Sequence, residues 1–197
     1  MQAIDLPGAD LRFDAAAIAT ARATRLFDAL QAEIAWQRHR LQLFGRVVEA
    51  PRLSCWIGDA DAVYTYSRTR FEPRSWTPAT AALRDELAAR TGIRFNSVLA
   101  NLYRDGNDAM GWHSDDEREL GAEPLIASLS FGATRRFRLR HRHDRSVPTR
   151  SLELGHGSLL LMAGATQRNY RHELPRSRGV TGARINLTFR RILRVRD

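Results

Sequence analysis

Two histidines and one aspartate carry the clearest chemical pattern in this sequence. His113-Ser114-Asp115 is followed 57 residues after Asp115 by His172. Residues i and i+2 of an extended strand point to the same side, so His113 and Asp115 can hold one face of a metal while His172 arrives from a distant strand. Two imidazoles and one carboxylate are typical of non-haem Fe(II) sites, and they leave about three octahedral positions open for a cosubstrate and O2. The spacing therefore predicts a mononuclear iron site.

A second group of polar residues lies at even spacing along two predicted strands. Asn101 and Tyr103 are two residues apart, and Asn186 lies between Arg184 and Arg190 on the last strand. An arginine that points into a protein is costly unless it meets an anion, so this face could clamp the two carboxylates of a short dicarboxylic acid. Taken alone, the arginines would fit an exposed terminal strand better. The metal triad favours the inward orientation.

The sequence contains one competing metal pattern and one cysteine. His141 and His143, with Asp144, lie in a predicted loop among arginines, whose charge would repel a divalent cation. Cys55 stands in an apolar stretch, where a packed small residue is expected rather than a nucleophile. A single cysteine permits no internal disulfide and no zinc site built on several cysteines.

The elements that must position these residues differ between the two parts of the chain. Apolar residues at helical spacing predict a helix over residues 14–35, with Asp14 as its N-cap. Thr77 and Pro78 predict the start of a second helix over Ala79–Arg90.

Short strands separated by turn signals are predicted beyond Ile93. Two or three more are expected between Trp36 and Ile57, with a turn near Phe44-Gly45. The predicted fold class is α+β: a double-stranded β-helix, or jelly roll, with N-terminal helices packed on one sheet. The strands after Ile93 are predicted at Ser97–Tyr103, Leu125–Phe131, Phe137–Arg140, Arg150–Leu154, Ser158–Met162, Asn169–Glu173 and Arg184–Ile192.

The length of 197 residues predicts one structural domain, which we divide into three segments. Residues 1–40 form an N-terminal extension and helix. Residues 41–95 would form a hairpin region and the second helix, and residues 96–197 the jelly-roll core with the predicted metal site.

The charge of the chain indicates what it binds. The net charge is +9, and every basic side chain is arginine. An arginine fork matches the geometry of phosphate, so the excess predicts a polyanionic partner such as nucleic acid. The alternative is that these charges only solvate the surface. The all-arginine choice favours a bacterial origin with a GC-rich genome.

No apolar run approaches the roughly 18 residues that span a bilayer, so no membrane association is expected. The N-terminus has neither the cationic start nor the apolar centre of a secretory signal. Together with the single cysteine, these features predict a cytoplasmic protein. We expect the protein to be a monomer.

Four motifs in order resemble the AlkB family of Fe(II)- and 2-oxoglutarate-dependent nucleic-acid demethylases, and most closely its DNA-repair branch. The resemblance covers about Gln42 to Leu193. Because the four motifs also match in spacing, the resemblance is specific. The motifs are Asn101–Gly106, Gly111–Glu117, Ile126–Gly132 and Arg184–Arg190.

The resemblance implies oxidative removal of N-alkyl lesions, of the 1-methyladenine and 3-methylcytosine type, from single- or double-stranded DNA. Fe(II), 2-oxoglutarate and O2 would be used, and formaldehyde and succinate released. The iron ligands would be His113, Asp115 and His172. Arg184, with Asn101 and Tyr103, would bind the distal carboxylate of 2-oxoglutarate, and Arg190, with Asn186 nearby, the carboxylate next to the keto group.

The resemblance also implies substrate contacts, with residues 41–95 as the nucleotide-recognition region and residues 96–197 as the catalytic core. A base inside a duplex cannot reach a buried iron, so it must be flipped out and stacked. Tyr66 resembles the family's aromatic lid, Tyr64 is placed to contact the base or its backbone, and Glu117 the polar edge of the base. Phe44, at a hairpin tip, resembles a wedge that fills the base stack, and Arg52 is placed to reach a phosphate. The alternatives are core aromatics at Tyr64 and Tyr66 and a Phe44 that folds back under the helix.

Three other functions are weighed against DNA repair. The same chemistry could act on RNA, or the fold could bind nucleic acid without turnover, which the intact triad and arginines disfavour. An oxygenase of protein or small molecules is the third, and the charge of +9 disfavours it.

Overall fold

Fifteen strands form the framework of the protein in the part of the chain that the structure describes. A computed structural model describes residues 1–43, 46–66 and 69–193, with side chains described outside 40–48 and 64–71. In chain order the strands are β1 (Gln2–Ala3), β2 (Asp10–Asp14), β3 (Arg40–Leu43), β4 (Arg46–Glu49), β5 (Leu53–Gly58), β6 (Tyr64–Tyr66), β7 (Thr69–Phe71), β8 (Ser97–Tyr103), β9 (Met110–His113), β10 (Ile126–Gly132), β11 (Arg135–His141), β12 (Arg150–Leu154), β13 (Ser158–Ala163), β14 (Tyr170–Leu174) and β15 (Arg184–Arg190).

Two antiparallel sheets enclose the interior, as a jelly roll predicts. The larger has the strand order β1-β2-β13-β10-β15-β8-β5, and the smaller has the order β12-β11-β14-β9. The pairs β3-β4 and β6-β7 form two separate hairpins. The larger sheet takes strands from all three predicted segments of the chain. The predicted double-sheet architecture is confirmed.

The two longer helices begin in different ways. Helix α2 (Pro78–Thr91) starts with a capping box at Thr77 and ends at Gly92, whose φ of 72° suits a residue without a side chain. Helix α1 (Thr20–Glu33) has no side-chain cap and follows Ala19. The predicted start at Asp14 is wrong, because Asp14 ends β2 and pairs with Leu159 of β13. A third helix, α3 (Thr166–Asn169), is a single turn.

The main apolar core lies between the helices and one face of the larger sheet. Leu30 of α1 and Leu83 of α2 share this cluster with Leu187 of β15. A second cluster, which includes Phe137 and Leu160, fills one end of the space between the sheets. The helices therefore cover one sheet, as predicted. Among the described residues, none of the helices is long and apolar enough to cross a membrane.

The first and last residues of the strands differ by only a few positions from the predictions. Strands β8 and β12 have the predicted bounds, and β15 ends two residues earlier than expected, at Arg190. The short strands β1 and β2 have no counterpart in the predictions. Strand β2 lies beside β13, where it extends the larger sheet.

Candidate active site

Two paired strands of the smaller sheet, β9 with the loop that follows it and β14, bring the predicted metal ligands together. His113 is the last residue of β9 and lies opposite His172 of β14 in the smaller sheet. Asp115 lies two residues beyond the end of β9, so the prediction that it shares a strand with His113 is wrong. One ligand atom from each of the three residues lies within 4.8 Å of the others. This is a spacing at which one divalent cation can contact all three.

The protonation states suit a metal. Burial, with a smaller contribution from the nearby His113, lowers the pKa of His172 to about 3. Burial also lowers the pKa of His113. Burial opposes ionisation of Asp115, but Arg190 and the two histidines hold its pKa below its usual value. At neutral pH the site therefore presents two neutral imidazoles and one carboxylate, which is the form that binds metal.

A hydrogen bond fixes which nitrogen of His113 can face a metal. His113 Nδ1 lies 2.8 Å from the carbonyl oxygen of Gly111. Because a carbonyl oxygen only accepts, Nδ1 must carry the proton, and the lone pair is then on Nε2. The His172 ring packs against Phe137, with 5.2 Å between ring centroids. Both imidazoles are thus oriented by groups that are not ligands.

The loop that carries Asp115 is tied to its neighbours. The Asp115 backbone N–H donates to Gln167 Oε1 at 3.0 Å, and Gln167 is only 2% exposed. The Ser114 hydroxyl donates to the carbonyl oxygen of Tyr170 at 2.8 Å. Arg142 forms an ion pair with Asp116. These contacts hold the loop against the start of β14, the strand that supplies His172.

A buried arginine on β15 is suited to an anionic ligand. Arg184 is 2% exposed, and its Nη2 donates to Ser130 Oγ at 2.9 Å. Its Nε and Nη1 are buried with no hydrogen-bond partner among the described residues. Burial lowers the pKa of Arg184 to about 10, so the side chain stays charged at neutral pH. A carboxylate would satisfy those two nitrogens, and the residues present fit a dicarboxylic acid.

Arg190 lies at the other end of the same face, beside the metal ligands. Its Nη2 donates to Asp115 Oδ1 at 2.7 Å, and the pair is almost fully buried. The two arginines therefore frame the cavity, one at the metal and one at the far end beside Tyr103. The prediction that both point inward is confirmed.

Asn101 and Asn186 face each other on neighbouring strands and make different contacts. Asn101 Oδ1 accepts from Arg52 Nε at 2.8 Å. The Asn186 amide nitrogen donates to Ser128 Oγ at 2.8 Å and to the Leu129 carbonyl oxygen at 2.9 Å. Asn186 thus uses its amide hydrogens within the protein, and its direct contact with a cosubstrate stays a prediction.

The position of Arg52 contradicts its predicted role at a phosphate. Only 8% of Arg52 is exposed, and its side chain turns inward to Asn101. A buried guanidinium beside the cavity cannot also lie along a nucleic-acid backbone in this conformation. Arg52 instead belongs to the polar wall around the predicted cosubstrate residues.

The metal triad and the two inward arginines line one cavity. Its wall takes residues from both sheets and combines the metal triad, the inward arginines and a few apolar side chains. It is lined by Leu99, Asn101, Tyr103, Met110, His113, Asp115, Ser128, Phe137, Leu154, Met162, His172, Leu174, Arg184, Asn186, Thr188 and Arg190.

The structure describes some of the predicted substrate residues in full and others only in part or not at all. Glu117 lies two residues beyond Asp115, is partly buried and precedes a single 3-10 turn, Arg118–Leu120. Phe44 lies outside the described residues. Tyr64 and Tyr66 lie on β6, but their side chains are outside the described part. The substrate contacts of all four residues stay predictions.

Two further sequence features have a structural explanation. His141 Nδ1 accepts from the backbone nitrogen atoms of His143 and Asp144, so the competing metal pattern is a turn. Arg135 lies in an arginine-rich stretch of the sequence, where surface positions are expected, but it is 1% exposed. Arg135 alternates with Phe137 and Leu139, which are both buried, and this two-residue spacing is the sequence signal that could have identified it as an inward-facing residue.

Comparisons with known proteins agree with this geometry. The sequence model of a family described as "2OG-Fe(II) oxygenase superfamily" matches residues 13–190. The chain is 42% identical over 182 residues to the human DNA oxidative demethylase ALKBH2, with 88% of this chain and 70% of that protein covered.

A second relative and a solved structure extend the comparison. The bovine alpha-ketoglutarate-dependent dioxygenase alkB homolog 3 is 40% identical over 178 residues, which cover 86% of this chain and 62% of that protein. The structure of OsALKBH1 aligns with a TM-score of 0.59 over 96% of this chain and 99% of that one. At 16% identity, it shows a shared fold.

Proposed function

Because this chain belongs to the 2OG-Fe(II) oxygenase superfamily, we propose that it is an oxidative demethylase that repairs N-alkylated DNA by direct reversal. The lesions would be of the 1-methyladenine and 3-methylcytosine type. The observation that carries the proposal is the single cavity that joins a metal triad to a buried arginine with two unsatisfied nitrogens. The names of relatives at about 40% identity, which include DNA oxidative demethylases, support DNA as the substrate.

The chain's residues would divide the work in the following way. His113, Asp115 and His172 would hold Fe(II) through two neutral imidazoles and one carboxylate. Arg184, with Tyr103 and Asn101, would bind the distal carboxylate of 2-oxoglutarate. When bound, Fe(II), 2-oxoglutarate and O2 supply the oxidation of the N-alkyl carbon, which leaves as formaldehyde, with succinate and carbon dioxide as coproducts. The protein orients the reactants and excludes water.

Arg190 would act at the metal end of the cavity. Its Nη2 neutralises Asp115 at 2.7 Å, and it lies on the same face of β15 as Arg184. This position suits the carboxylate next to the keto group of 2-oxoglutarate. Arg190 would then orient both a metal ligand and the cosubstrate.

The substrate base would enter from the side where His113 is partly exposed. A flipped base needs stacking partners, which we assign to Tyr66 and His113, with Tyr64 beside them. The Glu117 carboxylate would attract a cationic methylated base. Phe44 would fill the gap that the base leaves in a duplex.

Charge and composition favour nucleic acid over a protein or small-molecule substrate. The net charge of +9 is borne only by arginine side chains, whose forks suit phosphate. All the residues of the proposed site come from one chain, which favours a monomer as the active form.

The test uses purified protein with Fe(II), 2-oxoglutarate and oligonucleotides that carry 1-methyladenine or 3-methylcytosine. Single-stranded DNA, duplex DNA and RNA are compared, and the mass of the product is measured. Asp115→Ala should reduce the rate by about three orders of magnitude or more, because several kcal/mol of metal-dependent stabilisation are lost at about tenfold per 1.36 kcal/mol.

Asp144→Ala is the matched control, because Asp144 is an exposed carboxylate in the turn that the competing pattern occupies. It should leave the rate unchanged. Succinate formation without any loss of mass from DNA would contradict the proposed substrate and keep the oxygenase. Faster repair of RNA than of either DNA form would move the function to RNA.

A further inference from the structure

Arg135 is a buried cation that the proposed chemistry does not use. It begins β11 in the smaller sheet, yet its side chain is 1% exposed and points toward the end of the cavity that holds Tyr103. No carboxylate forms an ion pair with Arg135 among the described residues. Asp108 and Asp105 attract Arg135 only from beyond ion-pair distance, and a buried charge with no direct ion pair is costly, so its position calls for a physical reason.

Hydrogen bonds explain part of its position. Arg135 donates to three backbone carbonyl oxygens: those of Asp105 at 3.0 Å, Asp108 at 2.9 Å and Pro175 at 2.7 Å. The first two belong to the loop between β8 and β9, and the third follows β14. Arg135 therefore connects the strand of Tyr103 to both strands that carry histidine ligands.

The aromatic ring of Tyr103 connects Arg135 to the predicted cosubstrate pocket. The Arg135 guanidinium carbon lies 5.8 Å from the centroid of that ring, and the Arg184 guanidinium carbon lies 5.3 Å from it. Both distances fall within the range of cation–π contacts. The ring is thus held by two buried cations, one from each sheet.

The two cations also influence each other. Burial is the main cause that lowers the pKa of Arg184, and the charge of Arg135 lowers it further. Two like charges that contact the same aromatic ring repel each other, and an anion bound between them would offset this repulsion. A carboxylate at the two unsatisfied nitrogens of Arg184 would be attracted by both guanidinium groups.

We infer that Arg135 is a positioning residue that makes the pocket selective for a 2-oxo acid with a second carboxylate. It acts through Tyr103 and Arg184 and need not touch the cosubstrate. The inference rests on the proposed function, in which Arg184 binds the distal carboxylate of 2-oxoglutarate. If Arg135 were only a structural clamp, its loss would weaken every ligand of the cavity equally.

The experiment compares two ligands that differ only at the distal end. 2-Oxoglutarate and 2-oxopentanoate share the 2-oxo acid group, and 2-oxopentanoate has a methyl group in place of the second carboxylate. Binding of each to the Fe(II)-loaded protein is measured by calorimetry without O2. Arg135→Gln should weaken 2-oxoglutarate binding by roughly tenfold, equivalent to about 1.4 kcal/mol, and change 2-oxopentanoate binding by less than about twofold.

Two more variants complete the design. Arg136→Gln is the matched control: Arg136 is the exposed neighbour that pairs with Glu153 at 3.1 Å, and its loss should change neither affinity. Arg135→Lys keeps the charge but lacks the planar fork, so it should weaken 2-oxoglutarate selectively by about threefold. Thermal unfolding establishes which variants are folded. If Arg135→Gln does not fold, the comparison of the two ligands is made with Arg135→Lys.

Equal weakening of both ligands, or no weakening, would overturn the role of Arg135. Two other outcomes would contradict the proposed function itself. If the unsubstituted protein bound both acids equally, or if Arg184→Gln left the preference for 2-oxoglutarate intact, the pocket at Arg184 would not be the distal carboxylate site.

Discussion

Strand β15 of the larger sheet is buried along its whole length, whereas β11 of the smaller sheet alternates between buried and exposed residues. On β15, Ile185 and Leu187 pack under the helices, while Arg184 faces the cavity. On β11, Phe137 faces the cavity side and Arg136 faces solvent. Both strands place alternate residues inward, but only β15 has its outer face covered by helices.

This difference assigns separate tasks to the two sheets. The larger sheet supplies Asn101, Tyr103 and Arg184, the residues predicted to bind 2-oxoglutarate, from its buried neighbouring strands β8 and β15. The smaller sheet carries His113 and His172 at its β9–β14 edge, and its outer face is open. The covered sheet can therefore hold a cosubstrate of fixed shape, while the open sheet brings the metal close to a macromolecular substrate.

Substitution on the larger sheet should affect the cosubstrate and leave the metal in place. Arg184→Met removes the charge expected to pair with the distal carboxylate, and loss of one partner of a buried charge pair costs 2–5 kcal/mol, so 2-oxoglutarate affinity should fall about 30-fold or more. Calorimetry measures both 2-oxoglutarate and Fe(II). Arg191→Met, at an exposed residue, is the control. Loss of Fe(II) affinity in Arg184→Met would contradict the division between the sheets.

Substitution beside the smaller sheet should weaken metal binding and leave cosubstrate binding unchanged. Gln167→Ala removes the acceptor for the Asp115 backbone N–H and loosens the loop that carries this ligand. Loss of such an outer contact typically lowers metal affinity by 10–100-fold, and we expect about tenfold here, because Gln167 orients the backbone and not the carboxylate. Once iron is saturating, 2-oxoglutarate affinity should equal that of the unsubstituted protein.

Gln31→Ala, at an exposed position of α1, controls for the loss of an amide side chain. If Gln167→Ala and Gln31→Ala bind Fe(II) equally well, the Asp115 loop is fixed by its other contacts, and Gln167 has no part in orienting the ligand.

Much of this arrangement could be predicted from the sequence, because it depends on local periodicity. The bounds of β8 and the even spacing of Arg184 and Arg190 follow from the two-residue repeat of a strand. The caps of α2 at Thr77 and Gly92 follow from side-chain and backbone chemistry that acts over a few residues.

The features that were missed depend on contacts between distant parts of the chain. Asp14 suits a helix cap, but pairing with β13 places it in a strand. Arg52 looked like a surface residue until the fold brought it to Asn101, 49 positions away in the sequence. Arg135 was hidden for a similar reason: its partners at Asp105 and Pro175 come from two other loops. A sequence pattern gives the face of a strand, and it does not give the partners across that face.

The smallest expected effect is a change in nucleic-acid affinity after substitution on the open face of the smaller sheet. Arg140 is exposed, forms no ion pair with a carboxylate among the described residues, and lies 4.4 Å from the Trp112 ring, next to His113 in sequence. An arginine that contacts a phosphate contributes to affinity through the release of counterions. Arg140→Ala should therefore weaken nucleic-acid binding by a few-fold at low salt and reduce the slope of log affinity against log salt by about 1.

Salt titrations of binding to an unmodified oligonucleotide measure this slope. Arg136→Ala is the comparison, because Arg136 is exposed on the same face but already paired with Glu153, and its loss should change the slope less. The effect of Arg140→Ala should be equal across base sequences, since phosphate contacts carry no sequence information. An unchanged slope would mean that nucleic acid approaches the metal without crossing this face, and the two sheets would then differ in helix cover alone.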